Sequence, residues 1–201
     1  MIKCVVFDFD GTLVDSNQIK REVFFEVARP WDSSDEVVAE VFERCPAANR
    51  YEKTREIAKG LITRKLLPGE PNLERWSIRL ADDYTAKCEA AIACCREMPG
   101  ATAALEILFK TGLQLFVNSA TPVVPLQRLT QLRNWDQYFQ AAYGAEATKA
   151  ENLQSIARAS GSACTEMVHV GDQLDDQNGA KQFGCHFVAM TAGIAASPVR
   201  K

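Results

Sequence analysis

Val5-Val6-Phe7-Asp8-Phe9-Asp10-Gly11-Thr12-Leu13-Val14-Asp15 is the stretch whose reading decides the fold. Residues Ile2 to Phe7 form a short apolar run, partly β-branched, that ends at a glycine-bearing turn, which is the pattern of a buried strand. Asp8 and Asp10 then stand at the carboxyl end of that strand. In an open α/β sheet this is the edge where ligands bind, and Gly11 allows a sharp turn with close approach of the backbone. Carboxylates two residues apart share a face and repel one another unless a cation holds them, and magnesium suits carboxylate, carbonyl and phosphate oxygens. Asp and Gly are also ordinary turn residues, so the weight of this reading rests on what lies downstream.

Beyond Asp15 the texture changes. Helical spacing dominates to about Cys95, with Ile57, Leu61, Ile62 and Leu66 in one series and Leu73, Trp76, Leu80 and Tyr84 in another. Breaks fall near Pro30, at Cys45-Pro46 and at Pro68-Gly69, which predicts a bundle of about four helices. From Met98 onward strands and helices alternate. Strands are predicted at Leu113 to Val117, Ala141 to Tyr143, Met167 to Val170 and His186 to Met190, separated by single helices. That alternation implies right-handed crossovers and a parallel sheet covered on both faces. The expected organisation is therefore an α/β, Rossmann-like core built from residues 1–15 and 96–201, with residues 16–95 inserted as an α-helical block. The tail from Thr191 lacks apolar periodicity and reads as loosely held.

Three further sites fall at strand ends or helix starts. Ser119 follows the second strand beside a helix start, a ready anion site, and Thr121-Pro122 has the character of a helix cap and first position. Lys149 opens a helix where a cation is electrostatically misplaced, so its charge points to another purpose. Gly171-Asp172-Gln173-Leu174-Asp175-Asp176 is a second acidic strand end, and two such clusters are far less expected by chance than one.

These residues resemble the haloacid dehalogenase-like (HAD) superfamily. Its four motifs are matched in order by Asp8-Phe9-Asp10-Gly11-Thr12, Ser119, Lys149, and Gly171-Asp172 with Asp176; the helical block resembles the small α-helical cap of that family. Pro99-Gly100 and Gly184-Cys185 are similar to the phosphoglycolate-phosphatase-like branch. That branch usually has Asn after the second-motif serine and Pro after the lysine, where this chain has Ala120 and Ala150.

The resemblance implies a magnesium-dependent phosphatase acting on a small phosphorylated metabolite through an aspartyl-phosphate. Asp8 is then the nucleophile and Asp10 the acid and base. Mg2+ would be held by the Asp8 side chain, the Asp10 main-chain carbonyl and Asp172, with Asp176 orienting metal-bound water and either Asp175 or Asp176 serving as the second acid of the last motif. Ser119 and Lys149, with Gly11, would bind the phosphate. A phosphomutase of the same superfamily is an alternative. It is disfavoured because Asn17-Gln18-Ile19-Lys20 stands where the mutases usually carry a histidine. A signalling domain that accepts a phosphoryl group on Asp8 is a third reading, which Asp10 and the helical insertion oppose.

Composition excludes other classes. Hydrophobic residues make up 47% and charged residues 24% of 201, as in ordinary globular proteins, and the net charge of -3 gives no basic footprint for nucleic acid. No apolar run approaches membrane-spanning length and the amino terminus carries no signal pattern, so a cytoplasmic monomer or homodimer is expected. The 7 cysteines show no ligand spacing and read as reduced, buried thiols. His169 and His186 read as hydrogen-bonded strand residues, and Trp31, Trp76 and Trp135 as packing. Arg50, Lys53 and Arg55, interleaved with Glu52 and Glu56, read as a solvated helix face.

Overall fold

In a computed structural model of the chain, residues 1–46 and 48–191 are described. Most of the tail from Thr191 therefore lies outside the described residues. The chain divides into two compact units, Met1–Ser16 with the residues from Cys95 onward, and Asn17–Cys94.

The first unit is built on one sheet with strand order β3-β2-β1-β4-β5, where β1 is Cys4–Phe7, β2 Gln114–Asn118, β3 Phe139–Tyr143, β4 Met167–Gly171 and β5 His186–Ala189. Every pairing is parallel. β1 is central, and Val6 sits in register with Phe116 on one side and His169 on the other. β1 is shorter than its apolar run, because Ile2 and Lys3 lie outside the ladder and only the Lys3 backbone ties to Glu166 and Gln114, whereas β3 starts earlier than expected, at Phe139, and β4 runs on to Gly171.

Alternation sorts the strand residues between the two faces. Cys4, Val6, Phe116 and Met167 pack with Leu153 and Ile156 of helix α7, Lys149–Ser160, and with Phe183 of helix α8, Leu174–Phe183. The opposite face is served by α5, Ala101–Lys110, against β2 and α6, Val123–Leu132, against β3. There Trp135 is 2% exposed, meets Phe9 edge to face at 6.3 Å, and donates its indole N–H to Thr102 at 2.9 Å. Each such large side chain stabilises the unit by about 1.5–3 kcal/mol through the apolar area it removes from water.

The second unit consists of α1, Asn17–Ala28; α2, Glu36–Arg44; α3, Arg50–Thr63; and α4, Leu73–Ala93. Its aromatic centre has Phe24 stacked on Tyr84 at 4.0 Å and meeting Phe42 edge to face at 5.5 Å. Trp31 and Trp76 pack edge to face at 5.0 Å, with the Arg79 guanidinium over both rings.

Two local expectations are corrected here. The helical series through Leu66 overshoots, since α3 stops at Thr63 and Lys65 takes a left-handed φ of 55° that turns the chain. The charged group on α3 is not one solvated face. Arg55 pairs with Glu74 at 2.9 Å on the surface, but Lys53 is 7% exposed and its ammonium donates to the carbonyls of Pro46 and Ala48. A long amine can fold back onto an unpaired turn, which spacing alone does not report. All 7 cysteines are free thiols, but the expectation of burial holds only for Cys4 and Cys88; Cys45, Cys95, Cys164 and Cys185 are half-buried and Cys94 is exposed.

Asp32 organises the entry to α2. Its carboxylate accepts from the Val37 amide at 2.8 Å and from the Ser34 hydroxyl at 2.6 Å. Burial pushes this carboxyl up, but the hydrogen bonds from Ser34 and from the Val37 amide, with Arg64 nearby, outweigh it and hold the group below its ordinary value. A carboxyl lowered on folding contributes stability above its unfolded pKa and loses it as pH falls through the folded one. Asp32→Ala should therefore cost about 1–2 kcal/mol at neutral pH. The gap between variant and wild-type urea midpoints should begin to narrow as pH drops below about 3.9 and close only below the lowered folded value.

Candidate active site

Residues Phe9 to Val14, just beyond β1, form a tight turn. Gly11 takes a left-handed φ of 81° and donates its amide to Val14 O at 2.7 Å, while the Leu13 and Val14 amides both return to Phe9 O. A residue with a Cβ would be strained at Gly11. The turn leaves Asp8 and Asp10 at the end of the central strand, 4% and 5% exposed. Asp8 is anchored by its own amide, which donates to Val170 O at 2.8 Å and so ties it to β4.

Lys149 is the first residue of α7, and Thr148 and Glu151 close a capping box around the helix start. Its ammonium reaches away from the helix to Asp8 Oδ1 at 2.6 Å, Asp176 Oδ1 at 2.7 Å and the Asn118 carbonyl at 2.5 Å. The electrostatic misfit at the helix terminus is thereby resolved by two buried carboxylates. Asn118 fixes the same helix by donating to Lys149 O at 3.0 Å, and Asn152 bridges Asn118 Oδ1 at 3.0 Å and Gly144 O at 2.8 Å.

Asp176, the third residue of α8, is 1% exposed, while Asp175 faces solvent. Asp176 accepts from Lys149 and from the Gln173 amide at 3.1 Å, and His169 Nε2 lies 3.3 Å from its Oδ1. The other ring nitrogen of His169 is 3.2 Å from Val6 O, so this histidine is indeed a hydrogen-bonded strand residue, yet one that also reaches the acidic group. Burial pushes the Asp176 carboxyl up, and the His169 and Lys149 contacts outweigh it and bring the group below its ordinary value.

Asp8, Asp172 and Asp176 each present an oxygen within 4.8 Å of one another. One ammonium among these acids leaves the site with excess negative charge. Burial pushes the Asp8 carboxyl up, Lys149 pulls it down, and Asp176 and Asp10 push it up again, so that it is raised to about 7. For Lys149, burial works downward, but Asp8 and Asp176 more than offset it and raise its pKa. A surplus of clustered carboxylate oxygens is the chemistry that suits a hard divalent cation.

Asp10 has a different setting. Its Oδ1 accepts from the Ser16 hydroxyl at 2.6 Å and its Oδ2 from the Thr121 hydroxyl at 2.8 Å, with Ser119 Oγ at 3.5 Å. Ser119 is 2% exposed and its hydroxyl accepts from the Thr121 amide at 3.1 Å. All the residues picked from the sequence, Asp8, Asp10, Gly11, Ser119, Lys149, Asp172 and Asp176, thus lie at one edge of the sheet. Asn118, Asn152, Ser16 and Thr121 were missed as site residues. A polar Asn118 closing the apolar run Leu115-Phe116-Val117 was the one signal available for any of them. Thr121 does not cap α6, whose N-cap is Pro122.

The sequence pattern of the haloacid dehalogenase-like hydrolases matches residues 2–184. The chain belongs to this family. A 5'-nucleotidase of Pseudomonas aeruginosa is 25% identical over 199 residues, covering 96% of this chain and 84% of the relative. Among solved structures, a predicted phosphoglycolate phosphatase from Haemophilus somnus superimposes with a TM-score of 0.73 at 18% identity, over 94% of this chain and 84% of that one. A protein assigned as a β-phosphoglucomutase from Thermotoga maritima gives a TM-score of 0.71 at 16% identity, over 98% of this chain and 89% of that one. These likenesses establish a shared α/β fold. No helix among the described residues of this hydrolase is long and apolar enough to cross a membrane.

The hydrolase site also depends on close helix packing. A Cβ at Gly179 of α8 would lie 2.6 Å from Lys149 Cβ, so only glycine lets the start of α7 come this near. Gly179→Ala should displace Lys149 and lower stability by about 1–3 kcal/mol. A thermal melt checks this, and an unchanged midpoint would contradict the packing account.

Proposed function

We propose that this hydrolase releases phosphate from a small phosphorylated metabolite, with Asp8 as nucleophile and Asp10 as acid and base. The observation that carries the reading is the division of labour between two carboxylates on one turn. Asp8 faces an ammonium and two acids, while Asp10 faces neutral hydroxyls. Environments that separate two neighbouring carboxyls are how one site obtains two roles from one residue type.

In the first half-reaction an Asp8 oxygen attacks phosphorus as the ester P–O bond breaks. The electron pair leaves with the alcohol oxygen, which takes the proton of the Asp10 carboxyl. In the second, water attacks the same phosphorus and gives a proton to Asp10. The Asp8 carboxylate departs with its electron pair, leaving inorganic phosphate and the starting enzyme. Lys149 offsets the repulsion between Asp8 and the incoming anion, and with Ser119 it would hold phosphate oxygens. The donors fit magnesium, which Asp8, Asp172 and the Asp10 carbonyl would bind, with Asp176 orienting its water. Such an ion supplies neutralisation of the phosphoryl charge. The helical insertion is assigned the role of the family's cap.

The test is phosphate release from a panel of monoesters, nucleoside monophosphates and phosphoglycolate included, with and without magnesium. Asp8→Asn should lower turnover at least about 10^3-fold while the circular dichroism spectrum stays unchanged. Chelation of divalent ions should silence the wild type reversibly. Substantial activity of the variant would place the nucleophile elsewhere, and transfer primed by a bisphosphate without phosphate release would mark a mutase.

A further inference from the structure

We propose that Thr121 is a positioning residue for Asp10, and that its hydroxyl holds the acid/base carboxyl at the angle from which it serves the leaving oxygen. The inference rests on the phosphatase reading above and adds to it a residue outside the four motifs. Thr121 is 5% exposed, and its Oγ1 donates to Asp10 Oδ2 at 2.8 Å across 111 positions of sequence.

A threonine at this place in a sequence is expected to cap the following helix, and the structure explains why it does not. Pro122 has no amide hydrogen to offer, and the first available amide of α6, that of Val123, is taken by the Glu146 carboxylate at 3.0 Å. Glu146 comes from the loop after β3 and does the capping from outside the helix, so the threonine hydroxyl can turn to Asp10. The backbone of Thr121 is fastened on both sides. Its amide donates to Ser119 Oγ at 3.1 Å and its carbonyl accepts from the Ala145 amide at 3.1 Å. Gly144 lies so close that an added Cβ would stand 2.4 Å from the Val123 nitrogen and 2.7 Å from Thr121 O. Preceding a proline narrows the backbone of Thr121 further, and β-branching restricts its χ1. The hydroxyl is therefore presented from a fixed mount.

A hydroxyl is also the right chemical type. Asp10 alternates between carboxylic acid and carboxylate during the two half-reactions. A hydroxyl can accept from the first and donate to the second, whereas an ammonium only donates and a carbonyl only accepts. Thr121 thus stays bonded to Asp10 through the whole cycle, and it does so without touching phosphorus or the metal ligands' own oxygens.

The experiment compares kcat/KM for two monoesters. An alkyl phosphate needs its leaving oxygen protonated, whereas p-nitrophenyl phosphate expels a stable phenolate that does not. Thr121→Val keeps the shape and removes the hydroxyl. It should lower kcat/KM about 10- to 100-fold on the alkyl ester and less than about 3-fold on the aryl ester, and Thr121→Ser should recover most of the loss. If the valine variant does not fold, Thr121→Ala is read on the same pair of esters. Equal losses on both esters, or a serine variant as slow as the valine one, would overturn the role of Thr121. Wild-type protein inert toward both esters would instead overturn the phosphatase reading on which it stands.

Discussion

One ammonium shared between two buried carboxylates holds the first unit's chemistry in place. Lys149 reaches Asp8 just beyond the central strand and Asp176 on the helix after β4, so the start of the chain is joined to α7 and α8 at a single point. Breaking such a buried pair by removing one partner typically costs about 3–5 kcal/mol, because the remaining charge has neither water nor a counter-ion. The surrounding parts follow from that requirement. Asn118 and Asn152 brace the start of α7, and Gly179 yields the space for the lysine stem. With fewer cations than acids, the cluster keeps a net negative charge that a divalent ion is suited to balance.

The same turn produces a second, quieter environment. Because Asp8 and Asp10 are two residues apart on a chain bent by Gly11, one carboxyl meets charged partners and the other meets the hydroxyls of Ser16 and Thr121. Charged partners pull a carboxyl's ionisation in opposite directions, as Lys149 and Asp176 do at Asp8, while hydroxyls can bond to either state. A single strand end therefore presents two carboxyls in different surroundings, as the proposed division into nucleophile and acid/base requires.

The helical unit makes its own core from stacked and edge-on aromatic rings and from interlocked small and branched residues. Val37 Cγ1 would lie 2.6 Å from a Cβ at Gly60, so α2 and α3 approach as closely as they do only because one of them carries glycine there. Its buried polar groups are satisfied locally, while ion pairs such as Arg55 with Glu74 and Arg64 with Glu36 link its helices on the surface. Asp32 and Asn49 satisfy helix amides, and Lys53 satisfies turn carbonyls. Sequence spacing found the helices because periodicity is a local property. It misjudged Lys53, whose partners are main-chain atoms that carry no residue-specific signal.

The sequence by itself determined the alternation of strands and helices, the inserted helical block, and the acidic strand ends that mark the site edge. Each is written in a few contiguous residues: apolar runs, a glycine turn, paired aspartates. Tertiary structure decided the partners. It brought Asp176 into the acidic cluster and left Asp175 outside, since helix phase turns one inward and the other to solvent. It turned Lys149 away from its own helix, gave His169 a contact to the acids, and released Thr121 from the cap that its position suggested, because Glu146 arrives from another loop. Hydrogen bonds between residues a hundred positions apart depend on how strands are ordered in the sheet, and that order is a property of the packed whole.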